Sequence, residues 1–279
     1  MGIKGLNYWI GRCCMRATKV MREKKFNNLF IDANCILYHA VSSVREKENK
    51  LTEPLLAEIL RCLDLIVKLS NPSDLIFIAF DGPMPLAKQR SQRQSRFKDV
   101  VNKNGFDTII FTAGTEFMYI LNQEIKNFIK KQSENDEVWK KAKVILSGPN
   151  VQGEGEHKIA DYIRELKRNN EWNSKHTNCI FGNDTDNIIL SLNLHEPNIW
   201  IMKEKGFFKT DLMPFVPRES SIVWKYNDFR LVSIDTLREI LIYKFKLNGI
   251  DFNSENIENI ISDFSILSSF YKVKRTKHS

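Results

Sequence analysis

The sequence predicts an α/β fold with a mostly parallel central sheet and helices on both faces. Three observations carry this. Short apolar runs alternate with helix-patterned segments along most of the chain. The runs are near-continuously apolar, as in NLFID (28–32) and LIFIAFD (75–81), which marks strands covered on both faces. No internal repeat or low-complexity linker interrupts the 279 residues, so a single domain over 1–270 is expected, followed by a basic tail at 271–279.

Taken in order, Asn28 to Asp32 reads as a buried strand ending in an acid, and Cys35 to Val44 as the helix that follows. Lys47 to Lys50 is a charged turn. Pro54 to Leu69 places Leu55, Leu56, Ile59, Leu60, Leu63, Ile66 and Val67 on one helical face. Leu75 to Asp81 is a second buried strand, broken by Gly82 and Pro83, and a polar, basic helix runs from about Pro85 to Val101. Thr112 to Thr115 caps a helix over Glu116 to Lys131. Lys143 to Leu146 and Asn178 to Gly182 are further strands, with a helix after the first. Strands at Ile199 to Met202, Phe207-Phe208 and Phe229 to Ser233 follow, then helices at about Asp235 to Phe245 and Glu255 to Phe270. The last residues, KVKRTKHS, read as a solvated, frayed tail.

Composition narrows the class. A net charge of +8 points to a polyanionic partner, nucleic acid first and an acidic membrane surface second. No apolar run reaches the length of a membrane span, and MGIKGLNYWI lacks the apolar core of a signal peptide. Leu6 stands where a myristoylation motif needs Ser or Thr. The five cysteines show no CxxC spacing, so they read as reduced intracellular thiols.

The stretch VQGEGEHKIADYI (151–163) organises the chemistry. Glu154 and Glu156 sit in a glycine frame where a helical pattern begins. A helix-start preference for acids accounts for one glutamate better than for two. Asp32 and Asp81 end two strands, and Asp184 and Asp186 directly follow another. In open α/β sheets, ligands gather at the carboxyl ends of the strands, so the six acids are expected to converge on one edge. Their mutual repulsion is costly unless cations fill the cluster. All six offer hard oxygen donors, with no His or Cys set at ligand spacing, which selects Mg²⁺ or Mn²⁺. Two such ions can activate water and stabilise the leaving oxygen of a phosphodiester. No GxxxxGK[ST] loop is present, which argues against a kinase or NTPase.

In AKQRSQRQSRFK, Lys88, Gln92 and Arg96 recur at i, i+4, i+8 on one helical face. This stripe can hold a terminal phosphate near Asp81. A solvated basic face is the alternative, although acids for surface pairing are scarce along it.

Seven stretches in order resemble the eukaryotic 5′→3′ exoribonuclease (XRN) family, part of the PIN/flap-nuclease-like superfamily. They are MGIKGLNYWI, NLFIDANCILYH, FIAFDGPMPLAKQRSQRQSRF, TAGTEFM, VILSGPNVQGEGEHKIADYIR, CIFGNDTDNIILSLNLHEP and LVSIDTLREILIYKF. The resemblance implies a Mg²⁺- or Mn²⁺-dependent nuclease, with two ions, that digests single-stranded RNA from a 5′-monophosphate end. It assigns Asp32, Asp81, Glu154, Glu156, Asp184 and Asp186 to catalysis and metal binding, and Lys88, Gln92 and Arg96 to the 5′-phosphate. Tyr38 stands where the family stacks the first base on a histidine, and tyrosine can also stack. Ser95 replaces one of two adjacent family arginines. The family's seventh acid, in a Gly-Asn-Asp motif, has no counterpart near Lys274, and the capping region that follows it is not in this sequence. A protein supplying that region is therefore an expected partner, with no membrane, in the cytoplasm or nucleus. Two alternatives stay open: a weakly catalytic or inactive RNA-5′-end-binding module, and a flap-type DNA nuclease.

Overall fold

The computed structural model describes residues 6–21, 24–44, 52–103, 107–204, 224–225, 228–246 and 254–276. In chain order the elements are α1 (Leu6–Cys13), β1 (Thr18–Val20), β2 (Asn28–Asp32), α2 (Asn34–Val44), α3 (Thr52–Ser70), β3 (Leu75–Ala79) and α4 (Leu86–Lys103). Next come α5 (Glu116–Asn135), α6 (Glu137–Lys141), β4 (Lys143–Ser147), α7 (Gly155–Arg168), β5 (Asn178–Phe181) and α8 (Asp186–Leu192). The chain ends with β6 (Ile199–Glu204), β7 (Phe229–Ser233), α9 (Ile234–Lys246) and α10 (Ser254–Thr276). They fall into two compact units, one of residues 27–159 and 217–224, the other of residues 1–26, 160–216 and 225–279.

In the 27–159 unit, β3 pairs in parallel with β2 on one side and β4 on the other. All five residues of β2 and all five of β3 are buried. Side chains alternate between the faces of a strand, so five buried residues in a row require cover on both faces. The apolar stripe of α3 buries Leu55, Ile59, Leu63, Ile66 and Val67, and the helix packs on α2. Thr115 caps α5 through Met118 N–H at 3.4 Å, after Gly114 takes a φ of 90°. The short helix α6 was not expected. Asp136 caps it through Val138 N–H, and the buried Trp139 donates to Asp64 Oδ1 at 3.0 Å.

In the other unit, β5 pairs in parallel with β6, while β7 runs antiparallel to both β6 and β1. The expected strands at 178–182, 199–202 and 229–233 are present. The elements α1, β1 and α8 were not anticipated, being short and weakly patterned. Helix α10 continues past Phe270 to Thr276, since no glycine or proline interrupts it there. The expected turn at 47–50 and strand at Phe207-Phe208 lie outside the described residues. Among the described residues, no helix is long and apolar enough to cross a membrane. The mixed α/β architecture is the one the alternating pattern predicts.

Candidate metal and phosphate site

Four of the six acids meet within the 27–159 unit. Asp32 ends β2 and is buried. Asp81 follows β3, and its backbone N–H donates to Asn34 Oδ1 at 3.2 Å. From the other direction, Gly155 N–H donates to Asp81 Oδ1 at 2.8 Å, so this acid caps the start of α7. Glu154 gives its carbonyl to Lys158 N–H, the first helical bond there, and Glu156 is the second helical residue. Both glutamates thus flank a helix N-terminus, as their glycine frame suggested.

The glycines allow this convergence. A Cβ on Gly155 would lie 2.6 Å from Asp32 Oδ1 and 3.4 Å from the Ala79 carbonyl oxygen. Gly153, with a φ of 113°, accepts from Gly82 N–H at 2.9 Å and donates to the Pro83 carbonyl at 3.0 Å. These reciprocal bonds hold the segment after β3 against the segment before α7.

Electrostatics record the crowding. Burial, then the charges of Asp32, Asp81 and Glu154, push the Glu156 carboxyl up from 4.5 to about 9. Burial also raises Asp81, with Glu154 adding to it, while Gly155 N–H, Lys88 and Gln92 pull the other way. His157 joins the set: it is exposed, and a ring nitrogen lies within 4.8 Å of carboxylate oxygens of Glu154 and Glu156. It adds one nitrogen beside the expected oxygen donors, because residues i, i+2 and i+3 lie together at the start of a helix. A dense, mainly carboxylate donor set whose like charges raise one another suits a hard divalent cation.

Lys158, missed by the sequence reading, is buried beneath these acids. Its ammonium donates to the Phe80 carbonyl at 2.7 Å and the Gly148 carbonyl at 2.9 Å, tying the ends of β3 and β4 to α7. Burial depresses it to about 8 against the opposing pull of Asp81. The available signal was a lysine among the apolar positions of a helix pattern.

The basic stripe of α4 faces the same place. Lys88 Nζ donates to Glu154 Oε2 at 2.5 Å, and the Gln92 side chain bonds Asp81. Arg96 is only 7% exposed. Its guanidinium donates to Thr112 Oγ1 and, at 3.5 Å, to Gln92 Oε1, and no carboxylate is bonded to it among the described residues. A buried cation normally requires an anionic partner. Here the guanidinium lines a cavity of about 290 Å³ together with Asp81, Gln92, Arg93, Phe111 and Thr112. Tyr38 on α2 is 45% exposed, and its ring meets that of Phe111 edge-on at 5.7 Å between centroids.

Asp184 and Asp186 belong to the other unit. Asp184 Oδ1 accepts from Asp186 N–H at 3.2 Å, which fixes the turn between β5 and α8. The Asp184 carbonyl accepts from Lys203 Nζ at 2.8 Å, and this fully buried lysine also donates to Asn7 Oδ1 at 3.2 Å. Lys203, like Lys158, places a buried ammonium on the backbone next to an acid. It too escaped the sequence reading, since one charge at the end of an apolar strand resembles a solvent-facing terminus.

Comparison with known proteins agrees with the sequence motifs. The chain is 32% identical to 5′-3′ exoribonuclease 1 of Saccharomyces cerevisiae over 264 residues, which is 87% of this chain and 17% of that protein. It is 30% identical to 5′-3′ exoribonuclease 1 of Schizosaccharomyces pombe over 97% of this chain and 22% of that protein. The chain therefore spans about a fifth of the length of the curated relatives it matches. Among solved structures, the catalytic core of Rad2 in complex with DNA aligns with 90% of this chain and 59% of its own, with a TM-score of 0.45 and 14% identity. The family described as XRN 5′-3′ exonuclease N-terminus matches residues 1–104 and 98–205. The chain belongs to that family.

Proposed function

We propose that this chain is a metal-dependent 5′→3′ exoribonuclease that hydrolyses RNA from a 5′-monophosphate end. The observation that carries the proposal is the sharing of Asp81. It belongs to the carboxylate cluster with Asp32, Glu154 and Glu156, and it lines the cavity that holds the buried Arg96 guanidinium. A cation site and an anion site therefore adjoin.

Asp32, Asp81, Glu154 and Glu156 would hold Mg²⁺ or Mn²⁺. Asp184 and Asp186 are assigned to the same role by their match to the family motif, with two ions as the complement. Such ions, when bound, supply a Lewis-acid clamp on the attacking and leaving oxygens of a phosphodiester. The chain's own residues supply position. Arg96 and Gln92 donate to the terminal phosphate inside the cavity, with Lys88 as a further donor, and charge-assisted bonds of this kind are the strong ones. Tyr38, exposed beside Phe111, offers a face to the first base. The likeness to 5′-3′ exoribonucleases supports RNA as the substrate.

The test incubates the chain with Mg²⁺ and RNA bearing a 5′-monophosphate, a 5′-triphosphate or a 5′-hydroxyl, and with single-stranded DNA of the same sequence. The expected result is stepwise shortening from the 5′ end of the monophosphorylated RNA, lost in Asp81→Asn. Equal degradation of all ends, or cleavage that survives Asp81→Asn, would refute the proposal.

A further inference from the structure

We infer that Lys88 couples cation loading to recognition of the 5′-phosphate: Glu154 holds its ammonium when no cation is bound, and a cation on Glu154 releases it to the phosphate. The inference rests on reading the Lys88–Gln92–Arg96 face as the phosphate site.

The geometry is specific. The Lys88 ammonium is 2.5 Å from Glu154 Oε2, and both side chains are largely withdrawn from solvent. The Glu154 backbone is held by the first bond of α7, and the segment before it is tied to Gly82 and Pro83. What can yield is the long, flexible lysine stem. Lys88 also lies in the field of Asp81, whereas Gln92 bonds Asp81 and Arg96, and Arg96 is hydrogen-bonded to Thr112 and Gln92 with no bond to an acid among the described residues.

A divalent cation seated on Glu154 neutralises the carboxylate and repels the ammonium at this range. Lys88 then gains more from a doubly charged phosphate than from Glu154. Linkage makes the effect reciprocal, so the 5′-phosphate strengthens cation binding by the same factor. The ion-free protein grips a 5′ end with the Gln92 and Arg96 donors alone. The loaded protein adds a third, so RNA ends are held tightly only where cleavage can follow.

The test is calorimetric and needs no turnover. Adenosine 5′-monophosphate and adenosine, neither of which has an internucleotide bond to cleave, are titrated into the full chain in chelator and in Mg²⁺. The proteins are the parent, Glu154→Gln, Asp32→Asn, Arg96→Gln and Lys88→Met. In chelator, Glu154→Gln is expected to raise the preference for the monophosphate over adenosine roughly tenfold above the parent, the scale of one charge-assisted hydrogen bond. Asp32→Asn removes a different carboxylate of the cluster, and should give less than half that gain. Mg²⁺ should bring the parent to the level of Glu154→Gln, and Lys88→Met should abolish the Mg²⁺ effect even if Glu154→Gln folds poorly. The coupling is overturned if Glu154→Gln matches the parent in chelator, if Asp32→Asn gains as much, or if Lys88→Met keeps the full Mg²⁺ response. Failure of the underlying phosphate site looks different: no protein in any condition would prefer the monophosphate, and Arg96→Gln would match the parent.

Discussion

Replacing Glu156 with glutamine should stabilise the ion-free protein while abolishing cleavage. Glu156 is 8% exposed and sits among Asp32, Asp81 and Glu154, and these surroundings raise its carboxyl from 4.5 to about 9. The folded state therefore holds this proton more tightly than the unfolded chain does. Its contribution is fully present below pH 4.5 and is lost as pH rises toward 9. One proton corresponds to about 1.4 kcal/mol per pH unit, so the interval from 4.5 to 7 amounts to about 3 kcal/mol as a ceiling. Glutamine keeps the shape and carries no charge, so it removes that loss. At pH 7 the variant should melt on the order of 5 °C above the parent in chelator. Asp81 is raised too, so the parent's slope has the same sign from both groups. Lys158 is depressed to about 8 and contributes the opposite slope above that value, which confines the clean window to pH 5–8. The assay is thermal unfolding by calorimetry in chelator at half-unit steps across that window. The parent's stability should fall with pH and the variant's should fall less. Adding Mg²⁺ should stabilise the parent more than the variant, because the cation favours the charged carboxylates. An unchanged or lower melting point for Glu156→Gln throughout the window would refute the crowded-carboxylate reasoning.

Other outcomes follow from individual contacts. Gly155→Ala drives a methyl to within 2.6 Å of Asp32 Oδ1, so it should cost about 1–3 kcal/mol and weaken Mg²⁺ binding, measured by calorimetric titration. Tyr38→Ala should weaken single-stranded RNA binding by about 1–3 kcal/mol with little change in melting temperature, because the ring is 45% exposed. A lowered melting temperature with unchanged affinity would instead mark a packing role. Arg96→Lys should not restore the monophosphate preference lost in Arg96→Gln, since an ammonium cannot reproduce the fork that spans Thr112 and Gln92. Initial rates on 5′-monophosphate and 5′-hydroxyl RNA decide this. Lys158→Met removes the ammonium that the Phe80 carbonyl accepts from, while the Gly148 carbonyl keeps its bond from Val151 N–H, so it should destabilise the fold by about 1–3 kcal/mol, read by denaturant unfolding.

Sequence by itself marked the strands expected at 28–32, 75–81, 143–146, 178–182, 199–202 and 229–233, because each is a local apolar run, several of them ended by an acid or a glycine. It also determined which junctions carry the acids and which face of α4 carries Lys88, Gln92 and Arg96, since helical spacing is a local property. It did not reveal α6 or α8, which are too short to display a period. Tertiary structure alone decided the partners. Lys88 meets Glu154 across 66 positions, Gly155 caps on Asp81 across 74, and Lys158 reaches the Phe80 carbonyl across 78. It also decided that Arg96 is buried against Thr112, bonded to no acid among the described residues, while Tyr38 stays exposed. The physical reason is one of range. Periodicity and turn chemistry act over a few residues and can be read along the chain, whereas burial, desolvation and the pairing of charges depend on what the fold brings from elsewhere, and a lysine in a helix pattern looks the same whether it meets water, a phosphate or a carboxylate.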